Sequence, residues 1–249
     1  MVTRNARANA LAAALDAEGA LGGLGDDEVL VLGGDGTMLH AIHDHPAAKT
    51  FIGLNCGYLG FLMNDLPAEN AASHARACIE SGRWTAHRFP RLRLRAETAN
   101  GVVEGLAVND VYVERQSGTT VQLRAWIDGH ELASRLVCDG LIAATPLGST
   151  AYSYSAGGAA SHPLVRSVHL TAICPHAPRL APIVLPASAQ ITIEVLDPEK
   201  RPARAVVDGR TYGDVLRVQI AADAGDDVSL GYFDGHDFTA TLLRKVLRR

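Results

Sequence analysis

Hydrophobic and polar positions follow two different rhythms along this chain. The first third reads as helices and short apolar runs. Residues 5–18 (NARANALAAALDAE) are rich in Ala and Leu and stop at Gly19, the pattern of a helix with a glycine terminator. Glu28–Leu32 (EVLVL) is short, apolar and partly β-branched, which predicts a strand. It breaks into Gly33-Gly34-Asp35-Gly36-Thr37, after which Met38–His43 reads as a helix. A second strand is predicted over Phe51–Asn55, followed by Cys56–Gly60 and, after Pro67, a helix over 68–81. Strand, turn, helix, strand and helix within about 55 residues predict a parallel α/β unit.

From Trp84–Pro90 onward the period drops to two. Arg91–Arg95 (RLRLR) alternates strictly, as do parts of 106–114 and 120–127, with Asn-Gly, Asp-Gly and Ser-Gly turns between such runs. Further β segments are predicted at 191–196, 203–207, 214–220 and 228–232, and one block of small residues, 139–160, interrupts them. The predicted division is an α/β domain of residues 1–88 and a β-rich domain of residues 89–232. The stretch 233–249, whose end Thr239–Arg249 is basic and amphipathic, is expected to return to the first domain as a helix or strand.

Composition narrows the classes. A chain of 249 residues with 47% hydrophobic side chains can bury a real core, in one large or two small domains. The net charge of −4 removes the usual electrostatic reason to expect a nucleic-acid or anionic-membrane partner. There is no run of 18 apolar residues to span a membrane, and Met1–Ala6 lacks the apolar segment of a secretory signal. Cys56, Cys78, Cys138 and Cys174 are dispersed without a C-x-x-C pair, which argues against a disulfide framework or a cysteine-based zinc site. The expectation is a soluble, cytoplasmic protein.

Three places carry chemistry. An apolar strand feeding Gly33-Gly34 and then a helix lets backbone amides approach a ligand and form an anion cradle, with Thr37 free to cap or to donate. Asp35 is the odd member, since a carboxylate repels phosphate unless it accepts a proton from an attacking hydroxyl or holds Mg²⁺. The plainer alternative is a tight turn in which Asp35 caps the helix. No Walker pattern is present and no lysine lies near this turn; lysine occurs only at positions 49, 200 and 245. The second place is Asp139–Gly158 (DGLIAATPLGSTAYSYSAGG). There Pro146 forbids continuous helix, and Gly148-Ser149-Thr150 reads as a loop opening a helix that places Tyr152 and Ser155 on one face. Close helix–sheet packing is its plainer explanation. The third is Asn109-Asp110, an amide beside a carboxylate inside an apolar strand. Such a pair reads a purine amine or ribose diol, or marks a bulge. His40, His43 and His45 cluster without an H-E-x-x-H pattern and read as solvated or packed; no G-x-S-x-G elbow supports a hydrolase.

Together these blocks resemble the NAD kinase family, in order over roughly residues 29–210. Gly33–Thr37 matches GGDGT, Asn55–Leu62 (NCGYLGFL) the N-x-G-x-L-G-F-L segment, and Asn109-Asp110 the family's Asn-Glu pair. Asp139–Gly158 matches the D-G-x(5)-T-P-x-G-S-T-A-Y block. Ile173–His176 with Pro182–Pro186 resembles the P-I-C-P-H … P-I-V-x-P stretch, and Val207-Asp208-Gly209 the later D-G turn. GGDGT alone is shared with diacylglycerol and sphingosine kinases, so a lipid kinase or a weakly catalytic NAD-binding relative are the alternatives. The TPLGSTAY block decides for NAD kinases.

The resemblance implies an α/β N-terminal domain, a β-rich C-terminal domain and an active site in the cleft between them. Asp35 would act as general base or orienting carboxylate for the adenosine ribose 2′-hydroxyl of NAD. Gly33, Gly34, Gly36 and Thr37 would hold phosphates, and Asn55, Phe61 and Leu62 would belong to the NAD site. Asn109 and Asp110 would bind the adenosine side, Thr150, Ala151, Tyr152 and Ser155 would lie against adenine and ribose, and Asp139 near the nicotinamide. ATP (or polyphosphate) with Mg²⁺ would be the donor, and a homodimer or homotetramer the assembly. Three departures are visible. The family starts with a strand and polar turn, whereas this chain begins almost in its first helix; Asp110 replaces Glu; and Leu147 replaces Thr or Ala.

Overall fold

The computed structural model describes residues 2–3, 6–17, 19, 21–57, 60–222 and 225–247. Tyr58 and Leu59 of the NCGYLGFL segment, both ends of the predicted 5–18 helix, and the last two residues of the basic tail lie outside these. Two compact units are present: residues 1–89 with 228–249, and residues 90–227.

The first unit runs β1 (Val2–Thr3), α1 (Ala6–Ala17), β2 (Glu28–Gly33), α2 (Asp35–Asp44), β3 (Thr50–Asn55), α3 (Ala71–Glu80) and β4 (Trp84–Phe89). It is completed, after the second unit, by a strand Val228–Phe233 and a helix Phe238–Leu247. Strands β1, β2 and β3 are parallel; the late strand pairs parallel with β3 and antiparallel with β4. All six residues of β3 are buried, as befits a parallel strand covered on both faces. Ala8, Leu11 and Leu15 of α1 recur at helical spacing and pack with Ala75, Cys78 and Ile79 of α3 over Leu30, Leu32, Ile52 and Leu54.

Two expectations are corrected here. Val2–Thr3 pairs with Val31 and Leu32, so a short strand does precede the first helix; two residues are too few to register as a periodic signal. The strand at 228–233 belongs to this unit and not to the β-rich domain. Its residues are buried almost without alternation, which is the mark of a central strand and not of a sandwich face.

The second unit contains β5 (Leu92–Thr98), β6 (Gly101–Ala107), β7 (Asp110–Arg115), β8 (Val121–Ile127), β9 (His130–Cys138) and β10 (Gly140–Ala144). A 3₁₀ turn (Gly148–Thr150) and the one-turn helix α4 (Tyr152–Ser155) follow. Then come β11 (Ser167–Ile173), β12 (Ile183–Pro186), β13 (Gln190–Leu196), β14 (Ala203–Val207), β15 (Arg210–Tyr212) and β16 (Val215–Ala222). Numbering thus gives β17 to the strand Val228–Phe233 and α5 to the helix Phe238–Leu247. Two six-stranded antiparallel sheets form, in the orders β12-β11-β10-β7-β14-β15 and β6-β5-β16-β13-β8-β9. Alternate residues of both meet in one core, Leu92, Leu94 and Ile193 from one sheet and Val111, Leu141 and Leu170 from the other.

The run 106–114 is not one strand. β6 ends at Ala107 in one sheet and β7 starts at Asp110 in the other, so Val108-Asn109 is the corner where the chain changes sheets. The front of the 139–160 block is likewise a strand, β10, buried at all five positions. Its neighbour β11 is buried throughout and therefore lacks the alternation that betrays a half-exposed strand.

Candidate active site

In the first unit, β2 ends at Gly33 and α2 begins with Asp35 itself, the Met38 amide closing the first turn on the Gly34 carbonyl at 3.1 Å. A Cβ on Gly33 would stand 2.4 Å from Thr37 Oγ1, so glycine is what lets the buried Thr37 fold back over the strand end. No described residue comes within 4 Å of where a Cβ would point at Gly34 or Gly36. The positive end of the α2 dipole lies behind this turn, where it would favour an anion.

Asp35 does not cap its helix. Its Oδ2 accepts from the Phe61 amide at 3.1 Å and its Oδ1 from the Leu62 amide at 3.0 Å. Gly60 makes that possible, because a Cβ there would lie 2.3 Å from Asp35 Oδ1. The Phe61 and Leu62 side chains are buried within this unit, and what they offer Asp35 is their backbone. Asn55, also buried, accepts from the Gly57 amide at 2.9 Å and donates to Asp65 at 2.9 Å, holding the turn after β3.

Two further residues serve this loop. Tyr232, wholly buried in β17, donates its hydroxyl to the Phe61 carbonyl at 2.8 Å. Burial, reinforced by the negative charge of Asp35, pushes its phenol well above the ordinary tyrosine value, so it stays a donor. Lys245, on α5, brings Nζ to 3.3 Å from Asp35 Oδ2 and 4.8 Å from the Phe61 ring centre. The expectation of no lysine near this turn is therefore corrected: a residue 210 positions later supplies one. Its signal in the sequence was the spacing Phe238, Thr241, Lys245, which puts a lysine on the buried stripe of an amphipathic helix.

In the second unit the Asn109-Asp110 corner and the TPLGST turn converge. Thr145 Oγ1 donates to the Val108 carbonyl at 2.6 Å and accepts from the Gly148 amide at 3.1 Å, while the Thr145 amide donates to the Asn109 carbonyl at 2.8 Å. The turn lies so close that a Cβ on Gly148 would be 2.0 Å from the Asn109 carbonyl oxygen. From the other side, Asp208 accepts from the amides of Val108, Asn109 and Asp110 at 2.6, 2.9 and 3.1 Å. Asp208 and Gly209, at φ 46° and 85°, form the tight turn between β14 and β15 that aims this carboxylate. Asp110 is buried beside it; burial first and Asp208 second push its carboxyl up to about 7.

Beyond the turn, Thr150 is buried and its Oγ1 has no partner among the described residues. The predicted helix is only four residues long, with Ala151 at its N-cap. Tyr152 is partly exposed and packs edge-on against Tyr112 at 5.1 Å, and Ser155 is exposed. Asp139 is not brought to this cluster. It pairs with Arg115 at 2.9 Å, at the opposite end of β10 from Thr145, about 20 Å away at the rise of an extended strand. His40, His43 and His45 join no group of three metal-binding side chains among the described residues.

Residues 108–221 match the sequence profile of the ATP-NAD kinase C-terminal domain. Among similar curated proteins, the NAD kinase of Rhizobium meliloti is 37% identical over 78% of this chain and 75% of its own length. Those of Rickettsia bellii (34%; 88% and 85%) and Caulobacter vibrioides (36%; 86% and 82%) are comparable. Among solved structures, yeast NADH kinase complexed with NADH superposes with a TM-score of 0.76 at 26% identity, covering 88% of this chain and 66% of that one. An NAD kinase from Archaeoglobus fulgidus in complex with ATP gives 0.71 at 26%, covering 88% and 82%.

Proposed function

The chain belongs to the NAD kinase family and phosphorylates NAD to NADP; we propose that Asp35 orients the attacking 2′-hydroxyl while the GGDGT turn holds the donor phosphates. The observation that carries this division is the Asp35 carboxylate at the mouth of α2, fixed by the Phe61 and Leu62 amides beside open first-turn glycines. A ribose hydroxyl holds its proton far above neutral pH, and phosphoryl transfer passes through a loose transition state. Alignment and charge neutralisation therefore do most of the work, with a carboxylate base contributing about 10²–10⁴-fold.

ATP or polyphosphate is the donor. Mg²⁺ bound with the donor would neutralise phosphate charge, and Asp35 is the carboxylate of the GGDGT turn that would help hold it. In the second unit, Asn109, Asp110, Thr150, Ala151, Tyr152 and Ser155 take the adenosine, with the unpartnered Thr150 hydroxyl as a ready contact. Asp139 reaches the nicotinamide end only of a dinucleotide extended along β10. We further assign a cytoplasmic location and a homodimeric or homotetrameric assembly, to be read by light scattering. No described helix is long and apolar enough to cross a membrane.

A coupled assay for NADP formation tests the reading. Wild type makes NADP with ATP or polyphosphate, and Asp35→Asn loses at least about 100-fold in kcat while binding NAD roughly as before. Phosphorylation of a diacylglycerol in place of NAD would overturn it, and an Asp35→Asn variant as fast as wild type would remove Asp35 from its role.

A further inference from the structure

The GGDGT turn has no cation in its own sequence, yet the fold delivers one. Helix α5 is anchored at its start, where the Ala240 amide donates to Asp237 Oδ1 at 2.9 Å and Phe238 packs edge-on against Tyr232 at 4.8 Å. Arg244 fixes its other side on Asp65 at 3.0 Å. Phe238, Thr241 and Lys245 follow one stripe of the helix, of which the first two are buried. A lysine on that stripe carries its ammonium inward to Asp35, where it is 23% exposed beside a carboxylate 24% exposed.

Resting on the kinase reading above, we infer that Lys245 is the donor-phosphate cation of this enzyme: it holds Asp35 when no donor is bound and contacts the donor phosphates when one is. Three observations converge. The contact to Asp35, at 3.3 Å, is longer than the usual 2.7–2.9 Å of a charge-assisted hydrogen bond, so the ammonium is loosely committed. Two backbone amides keep Asp35 oriented without it. A partly exposed ion pair contributes little to stability, so stability alone does not account for a lysine on the inward face of the helix. Next to a helix N-terminus whose Gly34 and Gly36 no described residue crowds, a movable ammonium supplies the charge that a Walker lysine supplies elsewhere.

The test uses the full-length chain with Lys245→Met and Lys245→Arg, measuring ATP and NAD binding by calorimetry and steady-state kinetics for both substrates. Lys245→Met weakens ATP binding and kcat/KM for ATP by roughly 10- to 100-fold, the range for losing one hydrogen bond to a charged group. NAD binding stays within about twofold, and Lys245→Arg recovers most of the loss. If Lys245→Met does not fold, Lys245→Ala with added propylammonium replaces it: recovery with the amine and not with butanol supports the role. Wild-type ATP binding in Lys245→Met, an equal loss for NAD and ATP, or equal rescue by amine and alcohol each overturns it. The binding measurement does not require turnover. Wild type that binds ATP but makes no NADP would sink the kinase reading, and the Lys245 variants would still decide this one.

Discussion

Asp35 and Asp110 each open an element directly after a turn, one at the start of α2 and the other at the start of β7, yet their surroundings are opposite. Asp35 is a quarter exposed and collects two amides and an ammonium. Asp110 is buried beside a second carboxylate, and its carboxyl is pushed up to about 7. The first arrangement keeps a carboxylate oriented beside two glycines that no described residue crowds. The second keeps a proton near neutrality, so the side chain can donate as well as accept, which suits a group reading a diol or an amine edge. On the proposed reading one acid would serve chemistry and the other recognition, and their neighbours set the difference.

The sharpest way to break this contrast is to move Asp35 without removing it. Gly60→Ala places a methyl where Asp35 Oδ1 now lies, 2.3 Å from the new Cβ. NADP formation falls about 100-fold or more, the cost of misplacing a reacting group by an ångström, while the circular-dichroism melt stays near that of wild type. A Gly60→Ala enzyme of wild-type kcat would mean that Asp35 orientation is not what the amides secure.

In the second unit the equivalent change strikes the scaffold. Gly148→Ala drives a Cβ to within 2.0 Å of the Asn109 carbonyl, a backbone atom that cannot rotate away. Stability falls by about 3 kcal/mol, read from urea unfolding, and NAD binding falls with it. Retained stability with lost NAD binding would place the strain in the ligand pocket instead.

Asp110→Asn isolates the raised carboxyl. The folded state keeps a proton that the unfolded chain gives up near 3.8, so wild-type stability is lost as pH rises from about 4 through about 7. The Asn variant lacks that decline. It falls below wild type near pH 4 by the desolvation cost of a buried amide and exceeds it at pH 8 by on the order of 2 kcal/mol, less than the full shift for that same reason. Parallel stability curves for the two proteins would refute the buried-proton assignment.

How much of this was legible beforehand follows from the range of each interaction. The GGDGT turn and the TPLGST turn were readable because glycine and proline impose local geometry on a few neighbouring residues. The exchange of sheets at Val108-Asn109 is not, since the carboxylate that receives the amides of this corner, Asp208, lies about 100 residues on. β11 escaped because a strand buried on both faces shows no alternation. β17 reads as a strand in the sequence, but the unit it joins does not, because pairing partners leave no local trace. Lys245 and Tyr232 were missed for the same reason: each reaches the Asp35 loop across more than 150 residues of intervening chain.

The mildest perturbation asks whether that loop is also held from behind. Tyr232 donates to the Phe61 carbonyl while the Phe61 amide donates to Asp35, so one peptide neighbourhood links a buried phenol to the Asp35 carboxylate. Tyr232→Phe removes only the hydroxyl and leaves that carbonyl without its donor, at a cost of about 1 kcal/mol in urea unfolding. Because the phenol titrates well above its ordinary range, the difference from wild type is the same at pH 6 and pH 8. The drop in kcat is smaller than for Gly60→Ala, since both amides still reach Asp35. If Tyr232→Phe instead lowers kcat as far as Gly60→Ala does, the position of Asp35 is set from the aromatic core beneath the loop, and the exposed site in the first unit is as dependent on burial as its counterpart in the second.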